Sequence, residues 1–204
     1  MLRIEYPAPM NPNRILVQYA HPAPHLSRVN RRLADAARLV DGVFVNDLYE
    51  NYPDFYIDVT REQAMVAQAE AIIFMYPMQW YNMPSLMKEW IDVVLQDGWA
   101  YGPEGSACNG KVNWLVATTG GHADEYAPGK LHGRPFSDFL APAEQTAALC
   151  GMRWIAPHIL HGAHEVDART VDEHIGQFSA RLQQLAGAMP AALHIDYAAE
   201  PHGT

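Results

Sequence analysis

Three short segments hold the residue types that bind and process a ligand. The first, HPAPHLSRVN over residues 21–30, carries an imidazole, a hydroxyl, a guanidinium and an amide where a helical pattern begins. Free backbone N–H groups at a helix start, with Ser27 and Asn30 beside them, suit a phosphate. The second, FMYPMQWYNMP over 74–84, places Met78, Gln79, Trp80 and Tyr81 between two prolines. Flat aromatic faces and an amide on a stiffened loop suit a planar heterocycle. The third, TTGGHADEYAPGKLHG over 118–133, joins Thr118, Thr119, Gly120 and Gly121 to Tyr126 and His132. Glycines admit a ligand close to the backbone. A Tyr and a His beside a redox ring can offset charge that arrives with a hydride, or give a proton to a substrate oxygen.

Each segment alone has a plainer reading. Ser27 can simply cap a helix, and on that loop alone the cap is the better reading. Trp80 and Tyr81 can fold onto the core or face another subunit. A lone Tyr or His in a loop is more often solvated than catalytic. Position is what joins the three, and position follows from the elements around them.

Five runs read as strands: 14–20, 42–48, 71–77, 111–119 and 153–161. Helical spacing fills the intervals. A helix is predicted from Ser27 with Val29, Leu33, Ala36, Ala37 and Val40 as its apolar stripe and Gly42 as its stop. Further helices are predicted over 61–70 with Thr60 as cap, from Leu86 to Leu95 with Asn82 as cap, over 142–150 and over 168–187, while residues 51–60 read as a loop. Strands alternating with helices imply parallel pairing through right-handed crossovers. The class is therefore α/β, a three-layer α/β/α sandwich around a five-stranded parallel sheet in the order 2-1-3-4-5. Ligands in such sheets bind beyond the carboxyl ends of the strands, where the order reverses. That rule selects the loops after strands one, three and four, which are the three segments.

The bulk properties narrow the function. The 204 residues suit a single domain, with 1–13 and 190–204 read as loose tails. Fourteen Lys and Arg against 23 Asp and Glu give a net charge of −9 without a basic stripe, so a nucleic-acid partner is not expected. Cys108 and Cys150 show no metal or redox spacing and fit free thiols in a reducing compartment. The opening residues lack a secretory pattern, and the apolar runs fall short of the roughly 20 residues that cross a bilayer, so a cytoplasmic address is expected. Neither GxGxxG after the first strand, nor a P-loop, nor a GxSxG elbow is present. His158, His161 and His164 lack the cysteine or carboxylate of a standard zinc spacing, and no metal is expected there.

Taken together, YAHP at 19–22, YPMQWYNMPSLMKEWID at 76–92, DGWAYG at 97–102 and TTGG at 118–121 resemble the flavodoxin-like NAD(P)H:quinone oxidoreductases. Within that family the resemblance is to the ancillary subunits of glutathione-gated potassium-efflux systems, from about Arg14 to His161. It implies bound FMN, with FAD as the alternative. His21, Ser27, Arg28, Val29 and Asn30 would lie near the phosphate, and Met78, Gln79, Trp80, Tyr81, Thr118, Thr119, Gly120 and Gly121 around the ring. Tyr126 and His132 would be the catalytic pair at a pocket shared in turn by nicotinamide and quinone. Between the glycines and that pair, His122, Ala123, Asp124 and Glu125 differ from the animal enzymes. The implied reaction is ping-pong hydride transfer from NAD(P)H to quinone. The implied assembly is a homodimer, with DGWAYG toward the second subunit. The alternative role is a regulatory subunit that binds and activates a potassium-efflux antiporter, peripheral at the inner face of the membrane.

Overall fold

The computed structural model describes residues 14–188, so the tails expected at 1–13 and 190–204 lie outside the described residues. In chain order the elements are β1 (Ile15–Tyr19), α1 (Asn30–Arg38), β2 (Val43–Asp47), α2 (Leu48–Asn51), α3 (Val59–Gln68) and β3 (Ala71–Pro77). They continue with α4 (Ser85–Val94), β4 (Val112–Thr118), α5 (Ser137–Leu149), β5 (Arg153–Leu160) and α6 (Ala168–Ala188). The strands form one parallel sheet in the order β2-β1-β3-β4-β5, as the alternation predicts.

Pleating divides the strand residues between two cores. Leu16, Phe74 and Leu115 pack with Leu86 and Trp90 of α4 and Val66 of α3. Ile15, Val17, Ile73 and Trp114 pack on the other face with Leu33 of α1 and Phe178 and Leu182 of α6. β3 and β4 are buried almost end to end, as expected of strands covered on both faces. β5 is an edge strand and tolerates Pro157, next to which a bulge shifts its register against Trp114 and Val116.

Several boundaries differ from the sequence expectation, each for a local reason. Asp58 rather than Thr60 caps α3, its carboxylate accepting the Arg61 N–H at 3.0 Å. Asn82 does not cap α4; its Oδ1 accepts the Met83 N–H, and Pro84 occupies the cap position. α1 starts at Asn30 because Pro24–Leu26 form a 3-10 turn first. Ser27 Oγ still satisfies one helix-start donor, accepting from Arg31 N at 3.0 Å. α5 starts at Ser137, ahead of the expected start at 142, and carries Pro142 inside it. α2, one turn held by Asp47, is too short to leave a periodic pattern.

β5 and α6 meet at a histidine pair. His158 and His174 stack at 3.9 Å between ring centroids, and His158 Nε2–H donates to the His174 carbonyl at 3.1 Å. His174 is 7% exposed, and burial, then the neighbouring His158, pulls its pKa down to about 4. The native state therefore holds it neutral while the unfolded chain takes up a proton below its ordinary value of 6.5. Stability should be full above about pH 7 and fall as the solution is acidified from 6.5 toward 4, by about 2 kcal/mol between pH 7 and pH 5. Urea unfolding at the two pH values measures this, and His174→Phe should flatten the difference. An equal slope in that variant would place the acid sensitivity elsewhere.

Candidate functional site

The carboxyl ends of β1, β3 and β4 open into two adjoining cavities of about 330 and 190 Å3. Met78, Thr119 and Gly120 line both, so the two form one elongated site. The parallel register brings the ends together, with Pro77 beside Thr118 and Tyr19 beside Met75.

The larger cavity holds the residues that lead into α1. His21, Ser27, Arg28, Val29 and Asn30 all line it. His21 Nδ1 accepts the Ala23 N–H at 3.2 Å, and burial lowers its pKa. The neutral ring then carries its proton on Nε2 and is a donor. Arg28 Nη1 donates to the His164 carbonyl at 3.0 Å, which fixes a guanidinium at the rim. Asn30 is only 3% exposed. Its Nδ2 donates to Thr118 Oγ1 at 2.7 Å, and its Oδ1 is buried with no partner among the described residues. A donor histidine, a cation, a helix start and a spare acceptor suit an anionic group joined to a chain of hydroxyls.

The loop after β3 leads from one cavity to the other. Met78 N–H donates to the Thr118 carbonyl at 2.8 Å. Gln79 and Asn82 then exchange backbone bonds of 2.8 and 3.0 Å around a two-residue turn. Its central residues, Trp80 and Tyr81, have φ of +47° and +65°. Left-handed backbone at two aromatic residues is strained by roughly 1–2 kcal/mol each. The turn sends the two rings apart. Tyr81 stacks on Phe139 at 5.1 Å and meets His132 edge-on, whereas Trp80 stands 93% exposed at the rim. Tyr81 is thus an inner wall, and Trp80 an overhanging indole rather than the matching wall expected of it.

The loop after β4 forms the far end. Thr118 and Thr119 are buried, and their hydroxyls are spent on scaffolding. Thr119 Oγ1 donates to the Gly121 carbonyl, so His161 Nδ1, 2.9 Å away, must be the donor in that contact. Burial lowers the His161 pKa in keeping with a neutral ring. Gly120 and Gly121 line the smaller cavity, and a Cβ on Gly121 would collide with His132 Nε2. Tyr126 stacks on His132 at 4.1 Å, and burial raises the phenol's pKa, so it remains a proton donor. Both His132 ring nitrogens are buried without a hydrogen-bond partner among the described residues. The orphaned nitrogens, the Gly121 cradle and the Tyr81 face suit a flat ring with polar edges.

Every residue predicted for the site lines one cavity or the other. The sequence reading overlooked the loop after β5. Ala163 and His164 line the larger cavity, and Gly162 and Ala163 donate backbone N–H groups to Gly121 and Thr119. The histidines of that loop drew attention only as metal ligands, and no cluster able to hold a metal occurs among the described residues. Phe139 was overlooked too, because it lies in the first turns of α5, ahead of the expected start at 142.

The family described as flavodoxin-like fold matches residues 13–185. The glutathione-regulated potassium-efflux system ancillary protein KefF of Klebsiella aerogenes is 41% identical over 168 residues, covering 82% of this chain and 94% of that one. Among solved structures, general stress protein 14 of Treponema denticola in complex with FMN is similar, with 32% identity and a TM-score of 0.80. It covers 84% of this chain and 99% of its own. A candidate quinone reductase from Klebsiella pneumoniae aligns at 25% identity and a TM-score of 0.71, covering 84% of each chain.

Proposed function

The chain belongs to the flavodoxin-like fold family, matched over residues 13–185, and from that premise we propose that it is an FMN-dependent NAD(P)H:quinone oxidoreductase. The observation that carries this is the elongated double cavity, with anionic-ligand residues at one end and, at the other, a His132 beside Tyr126 whose ring nitrogens have no hydrogen-bond partner among the described residues. The FMN complex of the Treponema protein supports the cofactor. His21, Arg28 and the start of α1 would hold its phosphate, Asn30 its hydroxyl chain, and Met78, Tyr81 and Gly120–Gly121 its ring. FMN when bound supplies two-electron hydride chemistry. The overall reaction, NAD(P)H plus a proton plus quinone giving NAD(P)+ and hydroquinone, needs one proton besides the hydride. Tyr126 and His132, stacked at 4.1 Å in the smaller cavity, would manage that proton. A visible spectrum and stopped-flow mixing test the reading. The purified protein should show flavin absorbance that NADH or NADPH bleaches and menadione restores; a colourless protein that gains none with added FMN or FAD would sink it.

A second role follows from the 41% identity to an ancillary efflux protein across 94% of its length. In this reading the chain binds the cytosolic face of a potassium-efflux antiporter and activates it, which is compatible with reductase activity. No helix among the described residues is long and apolar enough to cross a membrane, so attachment would be through the antiporter. The exposed Trp80, beside a further cavity of about 440 Å3 that Met83 and Lys88 also line, is suited to a subunit contact in a homodimer. Sedimentation of the purified chain as a monomer would remove the dimer, and unchanged potassium flux in a reconstituted pair would remove the activator role.

A further inference from the structure

Resting on the quinone reductase reading, we propose that Glu125 is a positioning residue: its carboxylate orients the His132 ring and holds it ready to give the proton that quinone reduction consumes. The placement is specific. Glu125 Oε2 lies 3.8 Å from His132 Nε2, the one carboxylate within 4 Å of that ring nitrogen among the described residues. The same oxygen accepts the His122 N–H at 2.7 Å, so it is not free to swing away. The main chain ties the two residues as well, because the His132 N–H donates to the Glu125 carbonyl at 3.1 Å. Above Gly121, where a Cβ would stand, Glu125 Oε2 is 3.1 Å away, Tyr126 Oη is 3.2 Å away and His132 Nε2 is closer still. Only a glycine lets a carboxylate, an imidazole and a phenol converge on one point at the cavity wall.

The rings around His132 leave one motion to control. Tyr126 stacks on its face at an interplanar angle of 22°, and Tyr81 stands edge-on at 77°. The stack fixes the plane of the imidazole but does not choose between its two flipped orientations. A carboxylate on one side makes that choice, because it attracts an N–H and repels a bare ring nitrogen. At 3.8 Å the contact is longer than a hydrogen bond, and catalytic contacts are often long before substrate fills the site and tighten when it does. In the balanced reaction the quinone receives a hydride and one proton to become hydroquinone. With Nε2–H held toward Glu125, the His132 ring takes a proton from solvent on Nδ1 and gives it to a quinone oxygen, returning to the same tautomer. Glu125 keeps its charge throughout and is not consumed.

Glu125→Gln tests this, since the amide keeps an oxygen for the His122 N–H and removes only the charge. The kcat for menadione reduction should fall about 10- to 100-fold, part of what a general acid supplies. KM for NADH and the FMN dissociation constant should stay within about twofold. Nitrogen-15 spectra of the His132 ring, recorded with and without FMN, should pass from one tautomer in the native protein to a mixture in the variant. An unchanged kcat with an unchanged ring spectrum would overturn the proposal. So would equal losses in FMN affinity and thermal midpoint, which mark a purely structural cap. Should the native protein bind no flavin, the reductase reading fails on its own, while the ring spectrum still decides what Glu125 does to His132.

Discussion

Asn30→Leu is expected to lower FMN affinity about 100-fold while leaving the protein folded. Asn30 sits at the first residue of α1, nearly inaccessible, with its amide in the wall of the larger cavity. Its Nδ2 is committed to Thr118 Oγ1, and its Oδ1 has nothing to accept from among the described residues. Turning the amide over does not remove the problem, because one polar atom is left in either orientation. A buried polar atom without a partner costs about 1–3 kcal/mol, and a ligand hydroxyl that reaches it regains that energy on binding. Leucine forfeits the ligand contact and also frees Thr118 from the strap that aligns it. At about 2.7 kcal/mol, within the cost of a buried polar atom left without its partner, the lost ligand contact gives the factor of 100. The fold should survive, because leucine fills a similar volume and removes an unpaired acceptor. Fluorescence titration of FMN measures the first effect and the thermal midpoint the second. An unchanged dissociation constant would move the ligand's hydroxyl chain away from α1.

The strand order was legible because it rests on apolar runs and on the handedness of crossovers, which are chain-wide properties. Helix ends were less so. Asp58 outcompetes Thr60 as a cap because its carboxylate reaches the Arg61 N–H, a matter of geometry two residues from the expected position. α5 begins at Ser137, ahead of the expected 142, and accommodates Pro142 within its first turns. At the site, the strand-order rule picks the loops after β1, β3 and β4, and the residues it names do line the two cavities. It passes over the β5 loop, whose contribution is mostly backbone: the His164 carbonyl that holds Arg28 and the N–H groups that hold Thr119 and Gly121. Backbone roles leave no residue signature. The turn at Trp80 and Tyr81 was hidden for a related reason. Gln-Trp-Tyr-Asn lacks the Asn-Gly or Gly-Gly that announces paired left-handed residues, so nothing in it foretold that the indole would face outward.

The heaviest loss of stability should come from a residue that never touches the site. Glu62→Ala is expected to cost about 3–5 kcal/mol, a large share of the 5–15 kcal/mol that holds a domain of this kind together. Glu62 is fully buried on α3, and four donors from other parts of the fold close on its carboxylate. They are Gln18 Nε2 of β1 at 3.0 Å, Asn46 Nδ2 of β2 at 2.9 Å, Tyr52 Oη at 2.5 Å and Trp90 Nε1 of α4 at 2.8 Å. Arg61 stands 3.6 Å away as the nearest cation. Burial first, and then the bond to Glu62 and its charge, raise the pKa of the Tyr52 phenol, which therefore donates at any physiological pH. Alanine would strand those donors and leave a cavity, so the penalty is the desolvation of several groups rather than the worth of one bond. Because Gln18 lies three residues before His21, slackening of β1 should carry a smaller loss of FMN affinity with it. Urea unfolding measures the stability term, and a loss below about 1 kcal/mol would show that water replaces the carboxylate. Glu62→Gln separates charge from shape. Its Oε1 can still accept from two neighbours, but its amide hydrogens would point at other donors, so it should recover less than half of what alanine loses.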